Sequence, residues 1–299
     1  YSYTAMLQQC MWDYLKSDES EDVLEVYDIF SGCGGFSWGC VEAGHKVVTA
    51  ADHDAQILSA HARNHPDTHH VVACFPEDEA KLCLPMPDHP RRWHIHGSPP
   101  CTKLSAANYG KTEEDIELGM SMVNWYLELA IRRQPTSWSF EQVAVKYVID
   151  ACKAFRKKHP TKFAYIIVKC NEYGIPQLRK RVIGGSPWLV HRLRKLKGTF
   201  PCAMSSVEHW TKPMNTHMRY PKWYRRSRNE EVRHKMDENE IMIMPVTGPG
   251  YTISCTHSHY WSNSKGDERV FLSIREQARL QTFPDHFKFP GTQRVAQRV

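Results

Sequence analysis

Cys101 stands directly behind Pro99 and Pro100 in "GSPPCTKLS", residues 97 to 105, at the end of the stretch "RRWHIH". The two prolines fix their own φ angles, which lowers the entropy cost of holding the thiol in one place. A thiol attacks only when it is ionised and positioned, and this setting supplies the positioning. The other nine cysteines are read as buried and structural. Upstream, "FSGCGG" follows a β-branched run, and Gly32, Gly34 and Gly35 let the backbone pass close to a ligand. Asp52, about twenty residues on, closes a second apolar run, where an acid can accept ribose hydroxyls. The glycine pattern departs from the G-x-G-x-x-G that reaches a pyrophosphate, so a nucleoside without phosphates fits better. Downstream, Glu141 lies in the apolar run "TSWSFEQV". Gln177, Arg179 and Arg181 alternate, which on a strand puts all three side chains on one face.

Such residues need a frame. "LEVYDIF", the glycine turn and the segment ending at Gly44 read as strand, turn and helix; "HKVVTAAD" and "HDAQILSAHARNH" repeat the alternation. A βαβα opening favours an α/β fold with a doubly wound, mostly parallel, Rossmann-like sheet. "RRWHIHGS", "TSWSFEQV" and "FAYIIVKC" add strands; "EEDIELGMSMVNWYLELAIRR" and "VKYVIDACKAFRKK" add amphipathic helices. The division expected is an N-terminal segment 1–25, a catalytic region 26–185, an irregular recognition lobe 186–266 and a return to the catalytic region over 267–299. In the last of these, Ser273 and Glu276 have the spacing of a capping box, and the helix stops before Pro284.

With 299 residues, 41% hydrophobic and 24% charged, the chain can bury a real core. No apolar run approaches a membrane span and the first residues do not read as a signal peptide, so an intracellular protein without a membrane partner is expected. The ten cysteines form no C-x-x-C pair, which favours reduced thiols over disulfides or zinc. A net charge of +6 permits a polyanionic partner without requiring one. The charge clusters at 191–197 and again, with aromatics interleaved, at 218–228. His94 and His96 alternate on a strand, a pattern that more often lines a sheet face than binds zinc.

Taken in order, these motifs resemble the DNA cytosine carbon-5 methyltransferases. The glycine turn, "PPC" at 99–101, "FEQV" in place of a Glu-Asn-Val triplet, "QLRKR" and "REQARLQTFPDHFKF" fall in that family's sequence over about residues 26–290. The resemblance implies S-adenosylmethionine as cofactor, S-adenosylhomocysteine as product, and a cofactor site of Phe30, Ser31, Gly32, Cys33, Gly34, Gly35, Asp52, His53 and Pro99. It implies Cys101 as the thiolate adding to carbon 6 of cytosine, and Glu141 as an acid of raised pKa at nitrogen 3. Arg181 would reach the cytosine carbonyl, with Arg179 in support. The partner implied is double-stranded DNA with its target base extruded, held by Ser105, Gln177, Lys222, Arg225, Arg226 and Arg228. No metal is expected.

Three departures stand out. Gln142 replaces the family's Asn, which puts the geometry of the cysteine loop in question and points to a eukaryotic source and a nuclear location, or the nucleoid in a prokaryote. Thr102 stands where many members carry Gln. The family's last block, Gly-Asn-x-Val-Pro-Pro, does not follow "QRVAQRV", so either a longer parent chain, with flanking domains or chromatin partners, or weak cofactor binding is expected. Two rivals remain. A transfer RNA cytosine methyltransferase shares nearly all the motifs, but its Cys-Phe-Thr signature is not found here. An inactive scaffold is disfavoured by the presence of Cys101, Glu141 and Arg181.

Overall fold

Each apolar run becomes a strand of one sheet. The computed structural model of the chain describes residues 23–105, 110–198, 217–219, 243–245, 260–262 and 269–289. The strands are β1 (Glu25–Ile29), β2 (Lys46–Asp52), β3 (His69–Val72), β4 (Trp93–Gly97), β5 (Ser137–Val143), β6 (Ala164–Lys169) and β7 (Lys180–Gly185). They lie in the order β3-β2-β1-β4-β5-β7-β6. All pairings are parallel except those of β7, which runs against both β5 and β6.

Around this sheet the described helices are α1 (Gly35–Glu42), α2 (Ala55–Asn64), α3 (Glu113–Arg133), α4 (Lys146–Lys158), α5 (Pro187–Lys195) and α6 (Ile274–Leu280). Neighbouring strand residues point to opposite faces, which splits the core in two. Tyr27, Ile29, Ile95, Trp138, Phe140 and Val182 pack with Val123 and Leu127 of α3 and Val148 and Cys152 of α4. Val26, Val47 and Ile183, one position out of phase, pack with Phe36 and Cys40 of α1 and Leu189 and Leu193 of α5. Helices on both faces make the sheet doubly wound, as the βαβα pattern implies.

The 186 boundary needs correction. Residues 187–195, part of the basic stretch placed in the recognition lobe, form α5, which buries Leu189, Val190 and Leu193, with Leu189 and Leu193 packed against the seven-stranded sheet. Burying that three-residue stripe outweighs the basic outer face of Arg192, Arg194 and Lys195. Farther on, the region expected to be irregular contains short strands: β8 (His217–Arg219), β9 (Ile243–Pro245), β10 (Tyr260–Ser262) and β11 (Arg269–Phe271) form an antiparallel sheet in the order β11-β10-β8-β9. Chain order then resumes with α6, opened by the Ser273–Glu276 capping box.

The α1 face of the sheet is polar at its centre. Asp28, Ser37, His61, His94, His96 and Ser139 are all buried there, and the Phe36 ring stacks on His96 with centroids 3.6 Å apart. Burial holds the imidazoles neutral: His45 and His65 are pulled down to about 4, His94 to about 3, His61 to about 2, and His96 well below the ordinary range. Unfolding returns each ring to about 6.5, where it takes up a proton that the folded state refuses. Their contribution to stability is therefore intact above pH 6.5 and lost as pH falls through and below 4. Asp28 opposes this, because burial raises its carboxyl to about 7, but it is one group against several. We expect the urea midpoint to fall steadily between pH 7 and 5, followed by circular dichroism, with proton uptake on unfolding.

Candidate functional site

From β3 the chain crosses to the other side of β1 before forming β4. The loop after β1 leads to α1 on one face and the loop after β4 to α3 on the other, which opens a crevice at the carboxyl ends of the two strands. A cleft of about 400 Å³ lies there. One half is lined by Phe30, Ser31, Gly32, Cys33 and Gly35 after β1, with Asp52 and His53 after β2. The other half is lined by Pro99, Cys101 and Thr102 after β4, Glu141 in β5, and Gln177, Arg179 and Arg181 before and in β7.

The glycine turn is held from behind. Gly32 N–H donates to Asp52 Oδ2 at 3.0 Å, while Asp52 Oδ1 accepts from Asp54 N–H at 3.0 Å and meets His53 Nδ1 at 3.1 Å. Gly34 has φ 98°, and a Cβ there would come within 2.9 Å of the His61 and His65 rings, so only glycine fits. Gly34 itself caps α1 and faces these rings; it is absent from the cleft lining. Phe30 is held at φ 61°, an uncommon angle for a side-chain-bearing residue, with its ring edge-on to Phe75 and Trp125.

The thiol loop is anchored at several points. Leu104 and Ser105 N–H donate to the Cys101 carbonyl at 3.0 and 2.7 Å, and Lys111 Nζ donates to the Ser105 carbonyl at 2.9 Å. Ser105, expected on nucleic acid, closes this turn and does not line the cleft. Gln142, the departure that put the loop in question, is fully buried and reaches it. Its Nε2 donates to the Pro99 carbonyl at 2.9 Å, and its Oε1 accepts from Val143 N–H at 2.8 Å. The added methylene is absorbed by folding the amide back onto the next residue.

Arg181 Nε forms an ion pair with Glu141 Oε1 at 2.6 Å, placing the acid beside a guanidinium inside the cleft. Burial, helped by Arg181, pulls Arg179 down to about 10, while Glu141, Cys170 and Cys101 act in the opposite direction. Arg179 is thus within electrostatic reach of Arg181 and of both thiols. Gln177 requires correction: β7 begins only at Lys180, and Gln177 is 1% exposed with its amide on the Leu280 carbonyl at 2.8 Å. It ties this segment to α6 rather than offering itself to a duplex. Lys222, Arg225, Arg226 and Arg228 lie outside the described residues.

One wall comes from the far end of the chain, which the spacing of motifs did not reveal. Gln281 and Phe283 line the cleft, and Phe283 packs so closely on Gly35 that a Cβ there would meet its ring at 3.1 Å. Asn64 exchanges two 2.8 Å hydrogen bonds with the backbone of Lys288, and Arg275 holds the carbonyls of Pro284 and Phe287. Among the described residues no group of three His, Cys, Asp or Glu is placed to hold a metal, and no helix is long and apolar enough to cross a membrane. The ring nitrogens of His94 and His96 are engaged by serine hydroxyls instead.

Residues 24–185, more than half of the chain, match the model of the C-5 cytosine-specific DNA methylase family. The chain belongs to that family. It is 26% identical over 282 residues to the type II methyltransferase M.HgiDI of Herpetosiphon aurantiacus, covering 90% of this chain and 86% of that protein. It is 26% identical over 296 residues to M.HindV of Haemophilus influenzae, covering 90% and 88%. Among solved structures, S. pombe Dnmt2 methyltransferase superposes with a TM-score of 0.55 at 15% identity, covering 92% of each chain, and Entamoeba histolytica EhMeth with 0.53 at 15%, covering 93% and 92%. These last two show the fold. The two methyltransferases related by sequence are bacterial, and nothing in the comparisons supports the nuclear location that Gln142 suggested.

As a C-5 cytosine DNA methyltransferase, the enzyme takes its methyl group from S-adenosylmethionine. The cleft fits such a ligand: Ser31 Oγ is buried in its lining with no hydrogen-bond partner among the described residues, so a polar ligand atom has a place to bind. Gln142→Leu keeps the side-chain volume but leaves the Pro99 carbonyl and Val143 amide unpaired. It should lower stability by about 1–3 kcal/mol, measured by urea unfolding, and slow methyl transfer more than it weakens donor binding.

Proposed function

We propose that the enzyme methylates carbon 5 of cytosine in double-stranded DNA through a covalent adduct with Cys101, on a base extruded from the duplex. The observation that carries this reading is the convergence of Cys101, Glu141, Arg179 and Arg181 on one cleft whose other half is the glycine turn. Carbon 5 is a poor nucleophile until a thiolate adds to carbon 6, which forms a C–S bond and shifts the ring electrons toward carbon 5. Arg179, within electrostatic reach of Cys101, offers positive charge to the attacking sulfur. Glu141 serves nitrogen 3, and Arg181, already paired with Glu141, holds that acid and the cytosine carbonyl together. Carbon 5 then displaces the methyl group from the donor sulfonium, whose S–CH3 bond breaks; a water molecule takes the carbon-5 proton, the C5=C6 bond re-forms as the C–S bond breaks to release the thiolate, and nitrogen 3 returns its proton to Glu141. An extruded base is needed because carbon 5 and carbon 6 are stacked out of reach inside a duplex, and Lys222, Arg225, Arg226 and Arg228 supply the phosphate contacts.

The test is transfer of a labelled methyl group from S-adenosylmethionine to duplex DNA, hemimethylated DNA and transfer RNA in parallel. We expect label on DNA from the wild type and none from Cys101→Ala, together with a denaturation-resistant complex on DNA carrying 5-fluorocytosine. Label on transfer RNA alone would move the substrate to RNA; full activity in Cys101→Ala would remove the covalent mechanism.

A further inference from the structure

Ser98 occupies the seam between the two halves of the cleft. The register Ile29↔Gly97 puts it beside Phe30 at the start of the glycine turn, and its N–H donates to the Ile29 carbonyl at 3.3 Å. Three residues on is Cys101. Any group passing from the glycine-turn half to a base held at the thiol crosses this seam. Ser98 and His96 both line the cleft, and neither has a part in the chemistry described above.

Behind Ser98 runs a chain of buried hydrogen bonds. Ser98 Oγ lies 3.3 Å from His96 Nε2, His96 Nδ1 lies 2.7 Å from Ser139 Oγ, Ser139 Oγ lies 2.9 Å from His94 Nε2, and His94 Nδ1 lies 2.7 Å from Ser137 Oγ. Ser139 has one hydroxyl hydrogen for two imidazoles, so when that hydrogen is used within the chain it donates to one ring and accepts from the other. The tautomers of His94 and His96 are therefore set together. Burial keeps both rings uncharged, leaving each with one N–H and one bare nitrogen.

This chain has two neutral arrangements. When His96 Nδ1 carries the hydrogen, Nε2 is bare and accepts the Ser98 hydroxyl hydrogen, so the oxygen lone pairs of Ser98 face the cleft. When the order reverses, Nε2–H donates to Ser98 and the hydroxyl hydrogen faces the cleft. A cation at the seam selects the first arrangement, and a neutral ligand has no such preference.

We propose that Ser98, its hydroxyl hydrogen taken up by His96, is a specificity residue that turns oxygen lone pairs toward the sulfonium end of S-adenosylmethionine and so favours the charged donor over its neutral product, S-adenosylhomocysteine. Phe36, stacked on His96, fixes the ring plane that aims the pair. The inference rests on the cleft being the donor site.

The experiment is isothermal calorimetry of the whole chain with S-adenosylmethionine, with S-adenosylhomocysteine, and with a donor analogue carrying an ammonium in place of the sulfonium. Ser98→Ala should weaken the donor and the ammonium analogue by about tenfold while leaving the product within about twofold, the scale expected for one charge-assisted contact. Ser98→Thr, which keeps the hydroxyl, should retain the wild-type ratio. Equal losses for all three ligands in Ser98→Ala, or no loss for any, would overturn the proposal. Wild-type protein that binds none of the three would instead overturn the assignment of the cleft as the donor site.

Discussion

The parallel pairing of β1 with β4, from Glu25↔Trp93 to Ile29↔Gly97, joins parts of the chain nearly seventy residues apart and lets the cleft exist. Because β1 pairs on its other edge with β2, the chain must cross over before β4, and the loops leaving the two central strands part to opposite faces. Close approach is needed for this. Gly97 lies under Tyr126 of α3, where a Cβ would come within 2.2 Å of the ring, and the Tyr126 hydroxyl donates to the Ser139 carbonyl at 2.7 Å. One tyrosine thus clamps β4 to β5, and with them the thiol loop to the strand that carries Glu141.

The two faces of the sheet solve different problems. Under α3 and α4 the residues are apolar and aromatic, and their burial supplies the hydrophobic stabilisation. Under α1 the strands carry His94, His96, Ser137, Ser139 and Asp28, groups that lose hydration on burial. Nearly all their polar atoms find partners, although Asp28 Oδ1 has none among the described residues. A polar layer of this kind weakens the core relative to an apolar one but fixes ring and hydroxyl orientations next to the cleft, where orientation matters for chemistry.

Much of this was legible in the residues. The helix read over "EEDIELGMSMVNWYLELAIRR" is α3 from end to end, because a 3.6-residue apolar period sustained over 21 residues and opened by a capping box leaves little to chance. Cys101, Glu141 and the Arg179–Arg181 pair belong to three separate motifs, and the fold brings them to one cleft. Other features needed neighbours that one segment does not show. The apolar stripe of α5 is only three buried residues among basic ones, and β3, "HHVV", is too short and too rich in histidine to stand out. Gln177 looked like a strand residue, but it precedes β7 and turns inward. The His–Ser chain depends on His94↔Ser137 and His96↔Ser139 lying side by side, a register that neither strand records alone.

The contacts that finish the cleft are separated by great lengths of chain: Gln177 bonds to Leu280, and Asn64 to Lys288, 224 positions away. Synthesis runs in one direction, so a chain emerging from the ribosome possesses the glycine turn, the thiol loop and the acid long before Gln281 and Phe283 exist to wall them in. Until that later segment is made, the half-made chain holds the Cys101 loop beside an open groove.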